Sequence, residues 1–226
     1  VAMLKSTVDF KSTGLVSSTL EDYNGLDWTR NIIWNKGRSF IVLDSLTAEQ
    51  AGDYDLRCRW RVLGETELTG RNLEVKQEGS PRFHILNADT SRPELHTDQP
   101  GQSNWSRYTH AQPVVRSLVQ QKRQHLTAGE SFCFANVMHA ETADSPMDME
   151  VRPVDEGLVV VRSKDMWSMA GTAPAGKKIG SVYVEADVFQ LSATGLFAAG
   201  LKRLETGKGF LSSDQPINLD TASGRL

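Results

Sequence analysis

The chain has 226 residues and a mass of 25.0 kDa, with 39% hydrophobic and 23% charged residues, so it can bury a substantial core. A net charge of −3 and a pI of about 6.0 give no general attraction to nucleic acid or to anionic membranes. No stretch approaches the roughly 20 apolar residues needed to span a bilayer. We therefore expect neither a nucleic-acid partner nor a membrane partner.

The first third of the chain predicts a hairpin. Trp28–Trp34 alternates, and Arg38–Asp44 is a short and almost continuous apolar run. The tight turn Asn35-Lys36-Gly37 separates them, so the two segments are predicted to pair as antiparallel strands. The following segment, Leu46–Gly52, is predicted to form one helical turn.

The clearest strand prediction is Asp53–Val62. Every second residue is apolar and the residues between them are charged, which is typical of a strand with one buried face and one wet face. Overlapping this segment, Ala51–Cys58 superficially resembles an immunoglobulin strand with its tyrosine corner. Leu56 stands where that motif has its cysteine, so we expect only a local corner-like turn at Tyr54 and no immunoglobulin domain.

Alternation continues along the rest of the chain and helical periodicity is almost absent. Many short strands separated by turns predict an all-β fold with little helix, a large antiparallel β-sandwich of supersandwich-like size. We expect residues 1–226 to form one domain, with a sub-boundary near 171–181, where Gly171–Gly180 is the most linker-like stretch. The further strand candidates are Leu15–Leu20, Asn72–Lys76, Arg82–Asn87, Val114–Gln121, Glu130–His139, Met147–Pro153, Gly157–Arg162, Val182–Leu191 and Ile217–Leu219.

The two cysteines, Cys58 and Cys133, lie in separate strand candidates. Two buried free thiols are the favoured interpretation, because free cysteine behaves as a small core hydrophobe. A disulfide between them remains the alternative that the sequence leaves open.

Ala88–Pro113 is a long polar stretch, and loops of this length are usually functional or mobile. It carries aromatic and hydrogen-bonding side chains that suit carbohydrate, because the apolar face of a sugar ring stacks on an aromatic ring. The alternative is that the two aromatic side chains fold back and pin the loop to the sandwich. The candidate carbohydrate-binding residues are Asn104, Trp105, Tyr108 and His110.

No motif predicts catalysis, a cofactor or a metal. The sequence has no GxSxG elbow, no phosphate-binding glycine loop and no GxGxxG. The closest histidine cluster is His96, Asp98 and His110, which we interpret as solvated loop residues. Only a cleft that gathered these histidines with carboxylates would make the chain an enzyme.

A recognisable sequence pattern runs through five segments, which are Tyr23–Gly25, Trp28–Trp34, Phe40–Asp44, Tyr54–Trp60 and Leu126–Ala135. It resembles the C-terminal β-sandwich of heparinase II/III-like polysaccharide lyases. The resemblance implies that Arg30 and Asp44 match a recurring arginine and aspartate of that family.

The chain also departs from that family. Family members carry one histidine near Asp27-Trp28-Thr29 and another near Trp60, used for a metal or for positioning sugar, and this chain has neither. The helical toroid that supplies most of the lyase active site is not among these residues. A lyase must neutralise a uronate carboxylate and abstract a proton, which requires a positioned base and cationic partners.

The resemblance therefore implies a non-catalytic accessory or structural sandwich of a bacterial polysaccharide-processing protein. Its expected partners are polysaccharide and the neighbouring domains of a longer chain, because both ends look cut from a larger polypeptide. A secreted or periplasmic location is expected, with the targeting signal outside this segment. Two alternatives remain open: a carbohydrate-binding module that uses the 88–113 loop, and a protein-interaction sandwich.

Overall fold

Antiparallel strands make up almost all of the chain that the computed structural model describes, which is residues 2–76, 81–90, 94–98, 115–142 and 144–221. The all-β prediction is confirmed, and the described part of the chain contains no helix long and apolar enough to cross a membrane. In chain order the strands are β1 (Met3–Asp9), β2 (Thr13–Leu20), β3 (Leu26–Asn35), β4 (Ser39–Ala48), β5 (Gly52–Leu63), β6 (Glu65–Thr69), β7 (Asn72–Lys76), β8 (Arg82–Asn87), β9 (Glu94–Asp98), β10 (Val115–Leu126), β11 (Ser131–Glu141), β12 (Glu150–Asp155), β13 (Leu158–Ser163), β14 (Met166–Ile179), β15 (Val182–Ser192), β16 (Gly195–Thr206) and β17 (Gly209–Asp220).

These strands form three sheets. The central sheet has eight strands in the order β1-β2-β3-β4-β11-β8-β7-β6. The small sheet has the order β5-β10-β9, and the six-stranded sheet runs from β12 to β17 in chain order. All described pairings are antiparallel.

The central sheet is covered on both faces. One apolar cluster joins its β2, β3, β4 and β11 to β13–β16 of the six-stranded sheet. Two further clusters join its other face to β5 and β10 of the small sheet. The sandwich therefore has three layers, with the central sheet in the middle.

Strand β11 illustrates the sequence pattern of a strand in the middle layer. All eight residues from Phe132 to His139 are buried, so both faces of the strand lie against protein. A strand covered on both sides has a continuous apolar run rather than alternation. Phe132-Cys133-Phe134-Ala135 begins such a run.

The predicted hairpin is confirmed. Strands β3 and β4 pair with Trp34 opposite Phe40, and Gly37 in the turn has a φ of 74°, a conformation that glycine adopts without strain. The predicted helical turn at Leu46–Gly52 is wrong, because β4 continues to Ala48 and β5 begins at Gly52. Leu46 and Ala48 both belong to the same apolar cluster. Residues two positions apart share a face in a strand but not in a helix, and a single helical turn is not stable by itself.

Two loop-like predictions are also corrected. Gly171–Ile179, most of the linker-like stretch, lies inside β14, and Glu94–Asp98 in the polar 88–113 segment forms β9 beside β10. Pairing register shifts in β14, β15 and β16 fall at Gly171–Lys177, Glu185–Val188 and Ala198–Arg203. Bulges increase the local twist and bend of a sheet, so the six-stranded sheet curls and encloses an apolar cluster of its own.

Candidate functional site

The four residues predicted to bind carbohydrate, Asn104, Trp105, Tyr108 and His110, lie outside the described residues. Two residues of the predicted histidine cluster are described. His96 is opposite Val119 in the β9–β10 pair, and Asp98 lies 3.3 Å from Arg59 Nη1. Both are therefore strand residues rather than loop residues.

Arg30 and Asp44, the two positions implied by the family resemblance, are direct neighbours on β3 and β4. Asp44 has no exposed surface, and its carboxylate accepts hydrogen bonds from Arg30 Nε at 2.6 Å and Arg30 Nη2 at 2.8 Å. Trp28 Nε1 donates a third hydrogen bond to it at 3.0 Å. A bidentate arginine–carboxylate pair of this kind is among the strong hydrogen-bonded arrangements in proteins.

This cluster is closed by residues of the small sheet. The Arg30 guanidinium lies 4.7 Å from the centre of the Trp60 ring, and Cys58 Sγ lies 3.5 Å from Asp44 Oδ2. Burial by itself would lower the pKa of Arg30, but the hydrogen bonds and the charge of Asp44 outweigh it and raise that pKa. Arg30 and Asp44 thus neutralise each other, and the cluster braces the central sheet against the small sheet.

A histidine pair lies further along the central sheet. His84 on β8 and His139 on β11 are cross-strand partners whose rings stack at 4.7 Å with an interplanar angle of 11°. Glu141 Oε1 lies 3.3 Å from His84 Nε2. Burial, followed by the neighbouring His84, lowers the pKa of His139 to about 4, so its ring is neutral near pH 7. Among the described residues no group of three or more histidine, cysteine or acidic side chains could hold a metal ion.

Two clefts open between the central sheet and the six-stranded sheet. The first, here called the hairpin cleft, has a volume of about 320 Å³ and lies at the β3–β4 turn. The second has a volume of about 390 Å³ and is lined by polar residues such as Thr29, Asn31, Thr47, Ser131 and Glu156. Both volumes are at the lower end of the range for small-molecule sites.

The hairpin cleft carries several buried polar side chains although it borders the apolar core. Gln190, Phe197 and Asp220 form one row across β15, β16 and β17 that faces the central sheet, and Ser168 on β14 faces the same way. Gln190 is 7% exposed, Asp220 2% and Ser168 0%. Thr13 from the central sheet completes the polar lining.

The mouth of this cleft carries charges of both signs. Lys36 and Arg38 come from the β3–β4 turn, and Asp165 and the half-buried Trp167 come from the β13–β14 connection and the start of β14. The Lys36 ammonium is held by Asp9 and by the carbonyl oxygen of Phe10, which is 2.6 Å away. The mouth therefore has no strong net charge of either sign.

Sequence reasoning missed this cleft. Ser168 lies on β14, a strand that was not predicted, and Asp220 lies one residue beyond the predicted strand segment Ile217–Leu219. Gln190 alone gave a usable signal, because it occupies an inward position two residues after Val188 in a predicted strand. A polar side chain at an inward strand position is unusual enough to be examined as a site residue.

No protein family matches the sequence, and no curated protein matches it. Solved structures with the same fold are found. A heparan sulfate lyase, HepC from Pedobacter heparinus, matches with a TM-score of 0.56 and 13% identity over 72% of this chain and 26% of the lyase. A mutant of the same lyase matches with a TM-score of 0.58 and 12% identity over 74% of this chain and 27% of the lyase. A heparinase III structure matches with a TM-score of 0.54 and 10% identity over 74% of this chain and 26% of that chain.

At this level of identity the likeness concerns the fold. The chain is a three-layer antiparallel β-sandwich, and it shares that architecture with a part of heparan sulfate lyases. It spans about a quarter of the length of those enzymes.

Proposed function

We propose that this chain is a non-catalytic accessory β-sandwich of a heparinase-like, polysaccharide-processing protein of bacteria. The observation that carries the proposal is the fold shared with about a quarter of each heparan sulfate lyase chain. In this role the sandwich contacts polysaccharide or the neighbouring domains of a parent chain, in the periplasm or outside the cell.

The Arg30–Asp44 pair supports a structural role for this part of the sandwich. Lyase chemistry requires a cation that faces the substrate carboxylate and a base beside the adjacent carbon. Here the guanidinium of Arg30 and the carboxylate of Asp44 are turned toward each other, and Trp28 Nε1 and Cys58 Sγ also donate hydrogen bonds to Asp44. The pair is therefore engaged within the protein.

A second candidate function is a carbohydrate-binding module. The polar hairpin cleft favours it, because an interior lined by an amide, hydroxyl groups and a carboxylate can bind the hydroxyl groups of a sugar. The two candidates differ in whether the isolated chain retains affinity for saccharide.

The proposal is tested with the isolated chain in two assays. Heparan sulfate and other uronate-containing polysaccharides are incubated with it, and the unsaturated uronate that a lyase produces is followed by its ultraviolet absorbance. We expect no increase, and steady accumulation of product would overturn the non-catalytic role.

Affinity electrophoresis through gels that contain acidic or neutral polysaccharides then separates the two candidates. Retardation by one class of polysaccharide identifies a binding module and its ligand class. Unchanged mobility in every gel favours a structural sandwich whose contacts are with neighbouring domains.

A further inference from the structure

The hairpin cleft contains buried polar groups that the protein leaves without partners. Among the described residues, Ser168 Oγ and Gln190 Oε1 have no hydrogen-bond partner, although Ser168 is fully buried and Gln190 is 7% exposed. More than nine in ten buried polar groups in proteins are hydrogen-bonded, so each exception needs an explanation. Two exceptions in the wall of one cleft indicate a ligand position.

The second cleft does not share this property. Its wall includes Thr47 and Ser131, whose hydroxyl groups bond to each other at 2.9 Å. None of the described side chains that line it holds a buried polar atom without a partner. The unsatisfied groups are therefore specific to the hairpin cleft and are not a general feature of the space between these two sheets.

The chemistry of the lining restricts the ligand. The amide oxygen of Gln190 accepts a hydrogen bond, and the hydroxyl of Ser168 can both donate and accept. The ligand must therefore present a hydrogen-bond donor to Gln190 and either a donor or an acceptor to Ser168. Two adjacent hydroxyl groups meet both requirements. The carboxylate of Asp220, buried in the same wall, would repel an anionic group on the ligand.

The shape of the cleft agrees with this. Phe197, which faces the central sheet in this wall, provides an aromatic surface continuous with the core. A pyranose has an apolar face and a rim of hydroxyl groups, which matches a cleft with aromatic and hydrogen-bonding sides. The volume of about 320 Å³ is that of a site for a small ligand.

We propose that the hairpin cleft binds one neutral sugar unit, a hexose or an N-acetylated hexosamine, with Gln190 and Ser168 as its polar contacts. This assignment rests on the carbohydrate-binding form of the function proposed above and names the site and the ligand class. It places binding between the two large sheets, on residues that do not belong to the 88–113 segment.

The test is a titration of the intact chain with glucose, N-acetylglucosamine and glucuronate, followed by saturation-transfer NMR of the ligand. Wild-type protein binds the neutral sugars and discriminates against glucuronate. Ser168→Ala removes one hydrogen bond and weakens binding about threefold to tenfold, and the nearly isosteric Gln190→Met weakens it by a similar factor.

Ser117→Ala is the matched control. Ser117 on β10 in the small sheet is also fully buried and also has a hydroxyl without a partner among the described residues. Its loss leaves sugar affinity unchanged if the site is the hairpin cleft. Equal loss of affinity in Ser117→Ala and Ser168→Ala would overturn the assignment, because the effect would then be general destabilisation.

Three other outcomes would also overturn it. The absence of binding of any neutral sugar means that the cleft holds only water, and preference for glucuronate means that the ligand is an anion. If the wild type and both cleft variants are retarded equally by a polysaccharide gel, saccharide binds elsewhere on the chain. That last result would refute the cleft and leave the proposed carbohydrate-binding function standing.

Discussion

The Arg30–Asp44 pair is the residue-scale feature with the largest expected effect on stability. Arg30→Met leaves the fully buried carboxylate of Asp44 without its cation, so we expect the free energy of unfolding to fall by about 3 kcal/mol. The measurement is urea denaturation followed by tryptophan fluorescence. The control is Arg57→Met, which breaks an exposed ion pair with Asp55 and should cost less than about 1 kcal/mol. Equal losses in both variants would show that the buried pair is not a brace.

The histidine pair predicts a pH dependence. Because the pKa of His139 is about 4 in the folded chain and near 6.5 when unfolded, the unfolded state binds more protons between these values. The stabilisation from His139 is therefore complete above pH 6.5 and is lost as the pH falls toward 4, by up to about 3 kcal/mol. His139→Phe keeps a ring stacked on His84 and cannot titrate. The free energy of unfolding of His139→Phe, relative to that of the wild type, should increase by up to about 3 kcal/mol as the pH is lowered from 6.5 to 4. A difference that stays constant over this pH range would contradict the prediction.

The buried carboxyl group of Asp89 gives a pH dependence of stability opposite in sign to that of His139, over a similar pH range. Asp89 follows β8, where its carboxylate accepts hydrogen bonds from Asn87 Nδ2 at 2.6 Å and from the Ala135 amide. Burial raises its pKa to about 6, although these hydrogen bonds oppose the shift. Its contribution is present below pH 4 and is lost as the pH rises through 6. Both proteins in the His139 comparison contain Asp89, so its effect cancels in the difference.

The two cysteines are free and buried, as the favoured interpretation of the sequence expected. They are held apart by the central sheet, because Cys58 contributes to the cluster with the small sheet and Cys133 to the cluster with the six-stranded sheet. Burial raises the pKa of both thiols, so neither forms a thiolate readily. A disulfide-exchange reagent at pH 8 should titrate no thiol in the native chain and two in denaturant. Rapid labelling of one thiol without denaturant would show that its sheet opens locally.

At the scale of elements, the bulged region of the six-stranded sheet should be sensitive to added volume. A Cβ atom at Gly171 would lie 2.7 Å from the carbonyl oxygen of Gly157 and 2.8 Å from Leu158 Cδ1, so the backbone would have to shift. We expect Gly171→Ala to lower the free energy of unfolding by about 1–3 kcal/mol in a urea titration. A Cβ atom at Gly209 would meet no atom within 4 Å, and Gly209→Ala should stabilise β17 by up to about 1 kcal/mol. The same sign of change in both variants would contradict this account.

The strands that could be predicted from sequence are those with a strong apolar alternation or a continuous apolar run. Asp53–Val62 and Glu130–His139 became β5 and β11 with nearly the predicted bounds. Strand β14 was missed because Gly171–Gly180 has the glycine, proline and lysine content of a linker, and these residues are accommodated by bulges. Strand β9 was missed because a short, mostly polar segment at a sheet edge carries little apolar signal.

The hairpin cleft could not be predicted for a different reason. Its lining combines a turn of the central sheet with residues from β14, β15 and β17 of another sheet, and the sequence does not state how sheets stack. Ser168 and Asp220 are ordinary strand and strand-end residues until the layers bring them beside Gln190. The family resemblance singled out Arg30 and Asp44 as matching positions, whereas their contact and the burial of Asp44 became visible only in the packed layers.

At the scale of the whole molecule, all three layers share the central sheet. The apolar clusters on its two faces include neighbouring residues of the same strands, such as Ala135 on one face and Phe134 on the other. Loss of either outer sheet therefore exposes one face of β11. We expect the chain to unfold in urea in a single transition, with coincident far-ultraviolet circular dichroism and tryptophan fluorescence. Separate midpoints for the two signals would show that 1–226 is more than one folding unit.

The position of β11 in the central sheet has a consequence for synthesis on the ribosome. β1 to β4 can form as a meander as soon as they emerge, but the free edge of β4 receives its partner only when Ser131–Glu141 has been made. Until then Ile41, Val42 and Leu43 lie on an unpaired edge strand, an arrangement that invites pairing with other chains. The nascent chain should therefore depend on chaperone protection over this interval, and truncation before β11 should yield aggregated rather than soluble protein.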